Sequence, residues 1–317
     1  MIMKPGYRKC VHSSIGFLML IAYFSLAVGE ENIEAEAEYS KGARQCMACH
    51  KEGKDPAAHE IFLTPMGISS SDDSPFADGR HECETCHGPS DSHRKKQKDG
   101  SRLSPAISFA KNTPVEPQNK VCLSCHAGNS RLHWPGSMHE EEEVPCAGCH
   151  QVHVARDPML DAVSQQEVCF SCHPRTRAQT FRASSHPLRF GEMTCSDCHS
   201  PHNGNNDFLL TRSNINDTCY TCHAEKRGPF LFEHAPVSED CTLCHNAHGS
   251  NHPALLKQRS PLLCQQCHAS SGHPSLAYTS EVAEDSFQQR FLLARSCTNC
   301  HAQVHGSNHP SSATLTR

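Results

Sequence analysis

The feature that most constrains this chain is a five-residue unit, Cys-x-x-Cys-His, which occurs ten times between residues 46 and 301. Together the ten units contain every cysteine except Cys10. Chance placement at this cysteine and histidine content predicts fewer than one such unit, so the repetition is a strong signal. We number the units motif 1 to motif 10 in chain order. Their cysteines are Cys46 and Cys49, Cys83 and Cys86, Cys122 and Cys125, Cys146 and Cys149, Cys169 and Cys172, Cys195 and Cys198, Cys219 and Cys222, Cys241 and Cys244, Cys264 and Cys267, and Cys297 and Cys300.

The spacing within each motif is that of covalent c-type haem attachment. Each thiol can form a thioether to one haem vinyl group, and the adjacent histidine then lies beneath the iron. Structural zinc and dithiol redox chemistry also use Cys-x-x-Cys, but neither requires a histidine directly after the second cysteine. We therefore predict ten covalently attached haem c groups as cofactors. Their proximal iron ligands are His50, His87, His126, His150, His173, His199, His223, His245, His268 and His301.

The side chains alone cannot form a large core. Apolar residues make up 37% of the chain, and that figure includes 21 cysteines. Without the cysteines and with the 18 glycines counted, the share is about 36%, against about 45–50% in ordinary soluble proteins. Segments between motifs are short and rich in Pro, Gly, Ser and Asn, with few helical or strand periodicities. The predicted fold class is a multihaem cytochrome c with little regular secondary structure, mostly coil with short helices, and a core made of haems. Short helices are expected at some motifs and over residues 178–183 and 281–294, and loops over 69–79 and 104–118.

The motifs alternate between two styles, which indicates an internal repeat. Motifs 3, 5, 7 and 9 are plain, and they recur at intervals of 47, 50 and 45 residues. Motifs 4, 6 and 8 carry one additional histidine upstream and another just after, and from motif 4 to motif 10 the intervals are 49, 46 and 56 residues. The sequence thus predicts an elongated haem wire built from five two-haem repeats, of which the first is stretched.

Histidines outside the motifs can fill the distal position on each iron, two per repeat. Methionine, the other common axial ligand, does not recur at any repeat position. Four histidines are left over: His81, His133, His252 and His309, of which His309 competes with His305, and His81 with His59. The predicted distal ligands are His59, His93, His139, His153, His186, His202, His234, His248, His273 and His305.

The first 29 residues have the pattern of a secretory signal peptide. Lys4, Arg8 and Lys9 precede a mostly apolar stretch at residues 15–28, and Gly29 ends a small-residue cleavage site. The alternative, a membrane anchor, would need about 20 apolar residues. Three of the 29 basic residues lie in the signal, so residues 30–317 carry 26 Lys and Arg against 34 Asp and Glu, a formal charge of −8. The chain is therefore expected to be exported, and it lacks the basic footprint of a nucleic-acid-binding protein.

The ten motifs, with His-x-x-His after motifs 4, 6 and 8, resemble the MtrA/DmsE family of decahaem cytochromes. Residues 216–229, 263–270 and 304–310 are similar to that family in detail, and the resemblance covers essentially all of residues 30–317. It implies two five-haem modules, at about 40–185 and 186–310, and a periplasmic cytochrome inserted into an outer-membrane β-barrel, porin-like protein. It also implies electron exchange with periplasmic electron-transfer cytochromes and with an extracellular multihaem cytochrome or reductase.

Three functions are consistent with these features. The first is a conduit that carries electrons across the outer membrane, between periplasmic partners and extracellular acceptors or donors such as metal oxides, iron or an extracellular reductase. The second is a soluble periplasmic electron shuttle or store. The third, a multihaem reductase, would need an open coordination position on an iron. Because all ten motifs end in histidine and distal histidines suffice for every iron, we expect an electron-transfer protein with no catalytic residues.

Overall fold

The computed structural model describes residues 42–54, 56–128, 131–203, 206–268 and 297–316. All of them belong to a single compact unit that spans Glu38–Arg317. The predicted signal peptide and the expected helix at 281–294 lie outside the described residues.

The described chain is mostly coil, interrupted by helices of four to twelve residues. Seven of the eleven described α-helices contain a motif cysteine, because the motif itself closes one helical turn. In chain order the α-helices are α1 (Ala43–Met47), α2 (Cys83–His87), α3 (Asp91–Arg94), α4 (Val115–His126), α5 (Met138–Glu141), α6 (Cys146–Cys149), α7 (Gln165–Phe170), α8 (Pro174–Thr180), α9 (Ile215–Tyr220), α10 (Ala235–Glu239) and α11 (Leu262–Gln265). Single 3₁₀ turns include His59–Leu63, Pro65–Gly67, Pro158–Leu160, Pro187–Phe190, Cys195–Asp197, Asp207–Leu209, Ala224–Lys226, Cys241–Leu243, Pro253–Leu255 and Cys297–Asn299.

Within the described ranges, β-structure is limited to isolated bridges. Two of them repeat with the same spacing of eleven residues: His199 pairs with Leu210, and His245 pairs with Leu256. Others connect different repeats, as between Ser184 and Ser250. These features confirm the predicted fold class, a multihaem cytochrome with short helices and little regular structure.

Apolar packing is sparse. One hydrophobic cluster joins Ala43, Ile61 and Phe76, with Met66 and Cys83 packed against it. Elsewhere large apolar side chains stand exposed, among them Leu160, Phe181 and Phe190. Polar residues are at least as prominent in the interior, where Ser137 and Thr180 are almost fully buried. As the composition predicted, the side chains of the described residues do not build a large core of their own.

Two local predictions were wrong in their bounds. The predicted loop at 104–118 includes the start of α4, because Pro114 and Pro117 suit the N-terminus of a helix and the Gln118 amide donates to the Thr113 and Pro114 carbonyls. The predicted helix at 178–183 is α8, which begins earlier, at Pro174, and ends at Thr180. Residues 69–79 form turns and bends, as expected.

Candidate haem-binding sites

One helical turn closes each motif. In motif 1 the backbone N–H of His50 donates to the carbonyl of Cys46 at 3.0 Å, and the equivalent bond in motifs 4 to 10 measures 2.9–3.1 Å. Motifs 2 and 3 lie within α2 and α4. Residues three and four apart share a helix face, so both thiols and the imidazole of each motif are presented together. All twenty motif thiols are free, which thioether formation requires.

Neighbouring motifs meet through their cysteines. The first cysteines of motifs 1 and 2 share a side-chain hydrogen bond, which lowers the pKa of the Cys46 thiol to about 7 and raises that of Cys83. The same contact joins motifs 3 and 4, 5 and 6, 7 and 8, and 9 and 10. The attachment points of these five pairs are therefore adjacent in space.

A second set of cysteine contacts joins each pair to the next. Burial raises the pKa of the Cys86 thiol in motif 2, and Cys125 in motif 3 is close enough to raise it further. The pKa of the second cysteine is likewise raised by burial and by cysteines of the following motif for Cys149, by Cys172, for Cys198, by Cys219 and Cys222, and for Cys244, by Cys267. The two sets alternate, so the cysteines of each motif lie near those of the next in an unbroken order from motif 1 to motif 10.

Polar side chains form hydrogen bonds between the motifs whose first cysteines are neighbours. The Asn119 carbonyl oxygen accepts from the backbone N–H of Cys146 at 2.8 Å, and this bond ties motif 3 to motif 4. Asn216 accepts from the N–H of Cys241 at the same distance and ties motif 7 to motif 8. Related bonds tie motif 9 to motif 10, through Ser260 and Cys297 at 3.0 Å, and motif 5 to motif 6, through Gln165 and Ser196 at 3.2 Å.

Eight proximal imidazoles face a predicted distal imidazole across a gap that fits an iron. Metal–nitrogen bonds of about 2.0–2.1 Å, with each ring centre roughly 1.1 Å behind its nitrogen, place the centroids of two opposed ligands roughly 6.3 Å apart. The observed centroid distances are 5.9–6.4 Å, and in six of the eight pairs the ring planes are nearly parallel, with interplanar angles of 14–27°. The pairs are His50 with His93, His87 with His153, His150 with His202, His173 with His139, His199 with His248, His223 with His186, His245 with His305, and His268 with His234.

The pairs follow one rule along the chain. The histidine just after an even motif faces the proximal imidazole of the even motif before it, as His202 after motif 6 faces His150 of motif 4. The histidine ahead of an even motif faces the proximal imidazole of the following odd motif, as His186 faces His223. The first pair differs, because His93 after motif 2 faces His50 of motif 1 in the same repeat. Most paired imidazoles therefore come from different repeats.

Hydrogen bonds hold one imidazole of most pairs in the tautomer that an iron needs. A carbonyl oxygen can only accept, so a ring bonded to one carries its proton on Nδ1 and offers Nε2 to the metal. For even motifs the anchored ring is the proximal one, as in His199 to Phe208 O at 2.8 Å and His245 to Ala254 O at 2.7 Å. For motifs 5, 7 and 9 it is the distal one, in the bonds His139 to Pro201 O, His186 to Ala247 O and His234 to Val304 O.

Burial favours the neutral form of several paired rings. Loss of hydration is the largest cause that lowers the pKa of His87, His153, His202, His248 and His305. A neutral imidazole is the form that binds a metal. Two trans imidazoles, two free thiols and a neutral donor set fit haem c, whereas structural zinc would require tetrahedral ligands.

The remaining candidates differ in their placement. His59 is partly buried, and its Nδ1 atom is buried without a hydrogen-bond partner. His273 lies outside the described residues. Of the two rivals after motif 10, His305 faces His245, whereas His309 is exposed and accepts hydrogen bonds from Ser311.

Sequence reasoning missed the groups that orient the imidazoles. Most are backbone carbonyls, which leave no trace in side-chain identity. One signal was available: the segments 207–210 and 253–256 both end in Leu-Leu and follow motifs 6 and 8 at similar distances. A second missed group is Trp134, the single tryptophan, which is buried with its ring centroid 6.1 Å from that of His202.

The fold and these sites define a c-type multihaem cytochrome, a class of electron-transfer proteins. Within this class the chain is 50% identical to the multiheme cytochrome MtrA of Shewanella baltica over 288 residues, which cover 89% of this chain and 84% of that protein. The chain belongs to the MtrA family of multihaem cytochromes.

Shorter matches agree with this assignment. The cytochrome c-type protein NrfB of Escherichia coli is 35% identical over 151 residues, which cover 45% of this chain and 72% of NrfB. NrfB of Haemophilus influenzae is 31% identical over 144 residues, which cover 40% and 63%. A family model for NrfB-like cytochromes matches residues 83–166, and a doubled CXXCH model matches 186–228 and 234–273. Each doubled match begins at a histidine, His186 or His234, that faces the imidazole of the second motif within the match.

The described residues contain no helix with the length and hydrophobicity of a membrane span.

Proposed function

We propose that this protein is an electron conduit across the outer membrane. In this proposal ten haem c groups, one per motif, carry electrons between periplasmic cytochromes and acceptors or donors outside the cell. Family membership supports the proposed surroundings: export to the periplasm, an outer-membrane porin-like partner, and an extracellular multihaem cytochrome or reductase at the far end.

The observation that carries the proposal is the unbroken order of contacts between motifs. Five hydrogen bonds between first cysteines alternate with four close approaches that involve second cysteines, and together they link motif 1 to motif 10. Haem c supplies one-electron chemistry when bound, and its transfer rate depends on close spacing. The chain contributes that spacing, because the paired thiols set where neighbouring groups attach and residues such as Asn119 and Asn216 hold the motif pairs together.

The ligand rule completes the proposed coordination. Extended to the start of the chain, it assigns the histidine ahead of motif 2, His59, to the proximal imidazole of motif 3, His126. The last proximal imidazole, His301, is then left for His273. With two imidazoles on each iron, no position is open for a substrate, so we propose that the protein is not an enzyme.

A periplasmic shuttle or store is the second candidate, and one observation favours it. The second cysteines of all five odd motifs are exposed: Cys49, Cys125, Cys172, Cys222 and Cys267. Groups attached there could exchange electrons with soluble partners along the whole series rather than at its two ends.

Liposomes that enclose a redox dye separate the two candidates. The cytochrome is reconstituted with its porin-like partner, and reductant is supplied outside. We expect rapid reduction of the dye by the pair, and none by either component alone.

The control is a variant with Ala at Cys169, Cys172 and His173, which removes the attachment site of motif 5 from the middle of the series and whose mass should show nine haems. In a conduit this variant loses transfer, while His133→Ala, at an exposed residue, keeps it. If the complete pair fails while the free cytochrome exchanges electrons in solution, the shuttle replaces the conduit.

A further inference from the structure

The even motifs 4, 6 and 8 have matching surroundings, with one difference. After motifs 6 and 8 a turn returns to the proximal imidazole, and the carbonyls of Phe208 and Ala254 accept its Nδ1 proton at 2.8 and 2.7 Å. Both residues adopt left-handed backbone conformations, with φ of 62° and 55°. The acceptor on these two rings is therefore neutral and belongs to the backbone.

After motif 4 the equivalent turn is Pro158–Leu160, directly after Asp157. Its middle residue, Met159, holds the place of Phe208 and Ala254 but does not have a positive φ. A side chain takes the place of the carbonyl: Asp157 Oδ2 lies 2.7 Å from His150 Nδ1.

The Asp157 carboxylate is held in this position from its other oxygen. Asp157 Oδ1 accepts from the backbone N–H of Met159 at 3.1 Å and of Gln151 at 3.2 Å. Only 14% of the Asp157 side chain is exposed. The contact is thus a constrained hydrogen bond rather than a mobile surface ion pair.

The other proximal imidazoles with a short Nδ1 contact, His50, His87 and His301, donate to backbone carbonyls at 2.7–3.2 Å. The nearest comparable carboxylate, Glu225 Oε1, lies 3.8 Å from His223 Nδ1, beyond hydrogen-bonding range, and both side chains are more than half exposed. Among the described proximal imidazoles, His150 of motif 4 is therefore distinguished by a charged acceptor at hydrogen-bond distance.

A carboxylate acceptor makes an imidazole a stronger electron donor than a neutral carbonyl does. A more basic axial ligand and a nearby negative charge both stabilise ferric over ferrous iron, and hydrogen bonding beyond the ligands is one of the means by which a protein sets a haem potential. The effect is local, because it acts through the ring that binds one iron.

We propose that Asp157 is a positioning residue that lowers the reduction potential at motif 4 below that at motifs 6 and 8. This inference rests on the proposed bis-histidine haem at Cys146 and Cys149. Motif 4 lies between motifs 3 and 5 in the contact order, so a lowered potential there creates an uphill step inside the series. Electrons then reside on either side of motif 4 rather than on it.

The test is Asp157→Asn in the full holoprotein, because asparagine keeps the size and one carbonyl oxygen but loses the charge. Intact mass and low-spin spectra first establish ten haems and two imidazoles per iron; their failure would overturn the proposed function rather than this inference. In a potentiometric titration followed by haem absorbance, one tenth of the amplitude should move to higher potential. The matched control is Asp161→Asn, which removes a nearby carboxylate that bonds Ser164 instead of an imidazole, and it should leave the curve in place.

A second measurement needs no variant. A ferric haem with imidazolate-like ligation has its near-infrared charge-transfer band at higher energy, and magnetic circular dichroism of the unaltered protein should show one such component in ten. Asp157→Glu, which retains the carboxylate, should retain that component. The inference is overturned if the unaltered protein shows ten equivalent bands, if the Asp157→Asn curve superimposes on that of the parent, or if Asp161→Asn moves the curve equally.

Discussion

The N-terminal region, residues 42–94, and the central region, residues 138–256, differ in where the imidazole opposite a proximal histidine comes from. In the central region the proximal imidazoles of motifs 4 and 6 face histidines that follow motifs 6 and 8. In the N-terminal region His50 faces His93 of the same repeat. The only cluster of buried apolar side chains that the described residues form, around Ile61 and Phe76, is also here.

The difference follows from position in the array. An interior repeat has neighbours on both sides, so it can take ligands from them and remain irregular and polar. In the first repeat, His87 of motif 2 still faces His153 of the next repeat, but His50 of motif 1 has no earlier repeat beside it and faces His93 of its own repeat. The same repeat also supplies its own apolar packing. Terminal units of repeat proteins are atypical for the same reason. We therefore expect the central region to depend on ligand exchange between repeats and the N-terminal region to depend partly on side-chain packing.

The largest expected effect comes from cutting the chain after residue 185, the boundary of the two proposed five-haem modules. His202 is then missing, so His150 of motif 4 loses the imidazole that it faces, whereas the His50 and His93 pair is intact. We expect a fragment with five haems by intact mass, of which one is high-spin by electron paramagnetic resonance. Five low-spin haems would show that the first module is self-contained and would contradict the exchange of ligands across the boundary.

Single ligand removals affect one iron in ten. His202→Ala should produce one high-spin haem at motif 4, and His248→Ala one at motif 6, because each removes the ring opposite a proximal imidazole. His93→Ala should instead affect motif 1, within its own repeat.

Added substitutions locate the signal. When Cys146 and Cys149 are also replaced by Ala, the high-spin signal of His202→Ala should disappear with the haem that carries it. His133→Ala, at an exposed histidine, should leave every iron low-spin. A high-spin signal at motif 6 in the His202 variant would refute the rule that links alternate even motifs.

Loss of apolar packing should lower the stability of the N-terminal region. Ile61 is buried in the cluster with Ala43 and Phe76, so Ile61→Ala should cost about 2–5 kcal/mol of local stability. Faster amide hydrogen exchange in α1 would report it. Leu160→Ala, at a side chain that is 77% exposed in the central region, should change stability by less than about 0.5 kcal/mol. Equal effects at the two sites would remove the proposed contrast between the regions.

The smallest expected effect comes from the polar side chains that join paired motifs in the central region. Asn216→Ala leaves the backbone N–H of Cys241 without its acceptor, and a lost buried hydrogen bond of this kind costs about 1–3 kcal/mol. Thermal or denaturant unfolding of the holoprotein measures it, with Asn251→Ala at an exposed position as the control. If both substitutions are neutral, the haems alone hold motifs 7 and 8 together.

Much of this protein is determined by its sequence, because the decisive chemistry is local. Two cysteines and a histidine within five residues define an attachment site wherever they occur, and the shortage of aliphatic residues already indicates a core built from something other than side chains. The bounds of α4 escaped prediction, because a Ser- and Pro-rich segment resembles a loop until the helix-starting role of Pro114 and Pro117 is seen in place.

The sequence supplied the set of distal histidines but not their partners. His202 lies three residues after motif 6, yet it faces an imidazole of motif 4 that is 52 positions earlier, and only the tertiary structure brings the two rings together. The same holds for the carbonyls that orient His199 and His245 and for the carboxylate of Asp157 on His150. Covalent attachment depends on spacing along the chain, whereas axial pairing and the tuning of each ligand depend on which distant segments pack against one another.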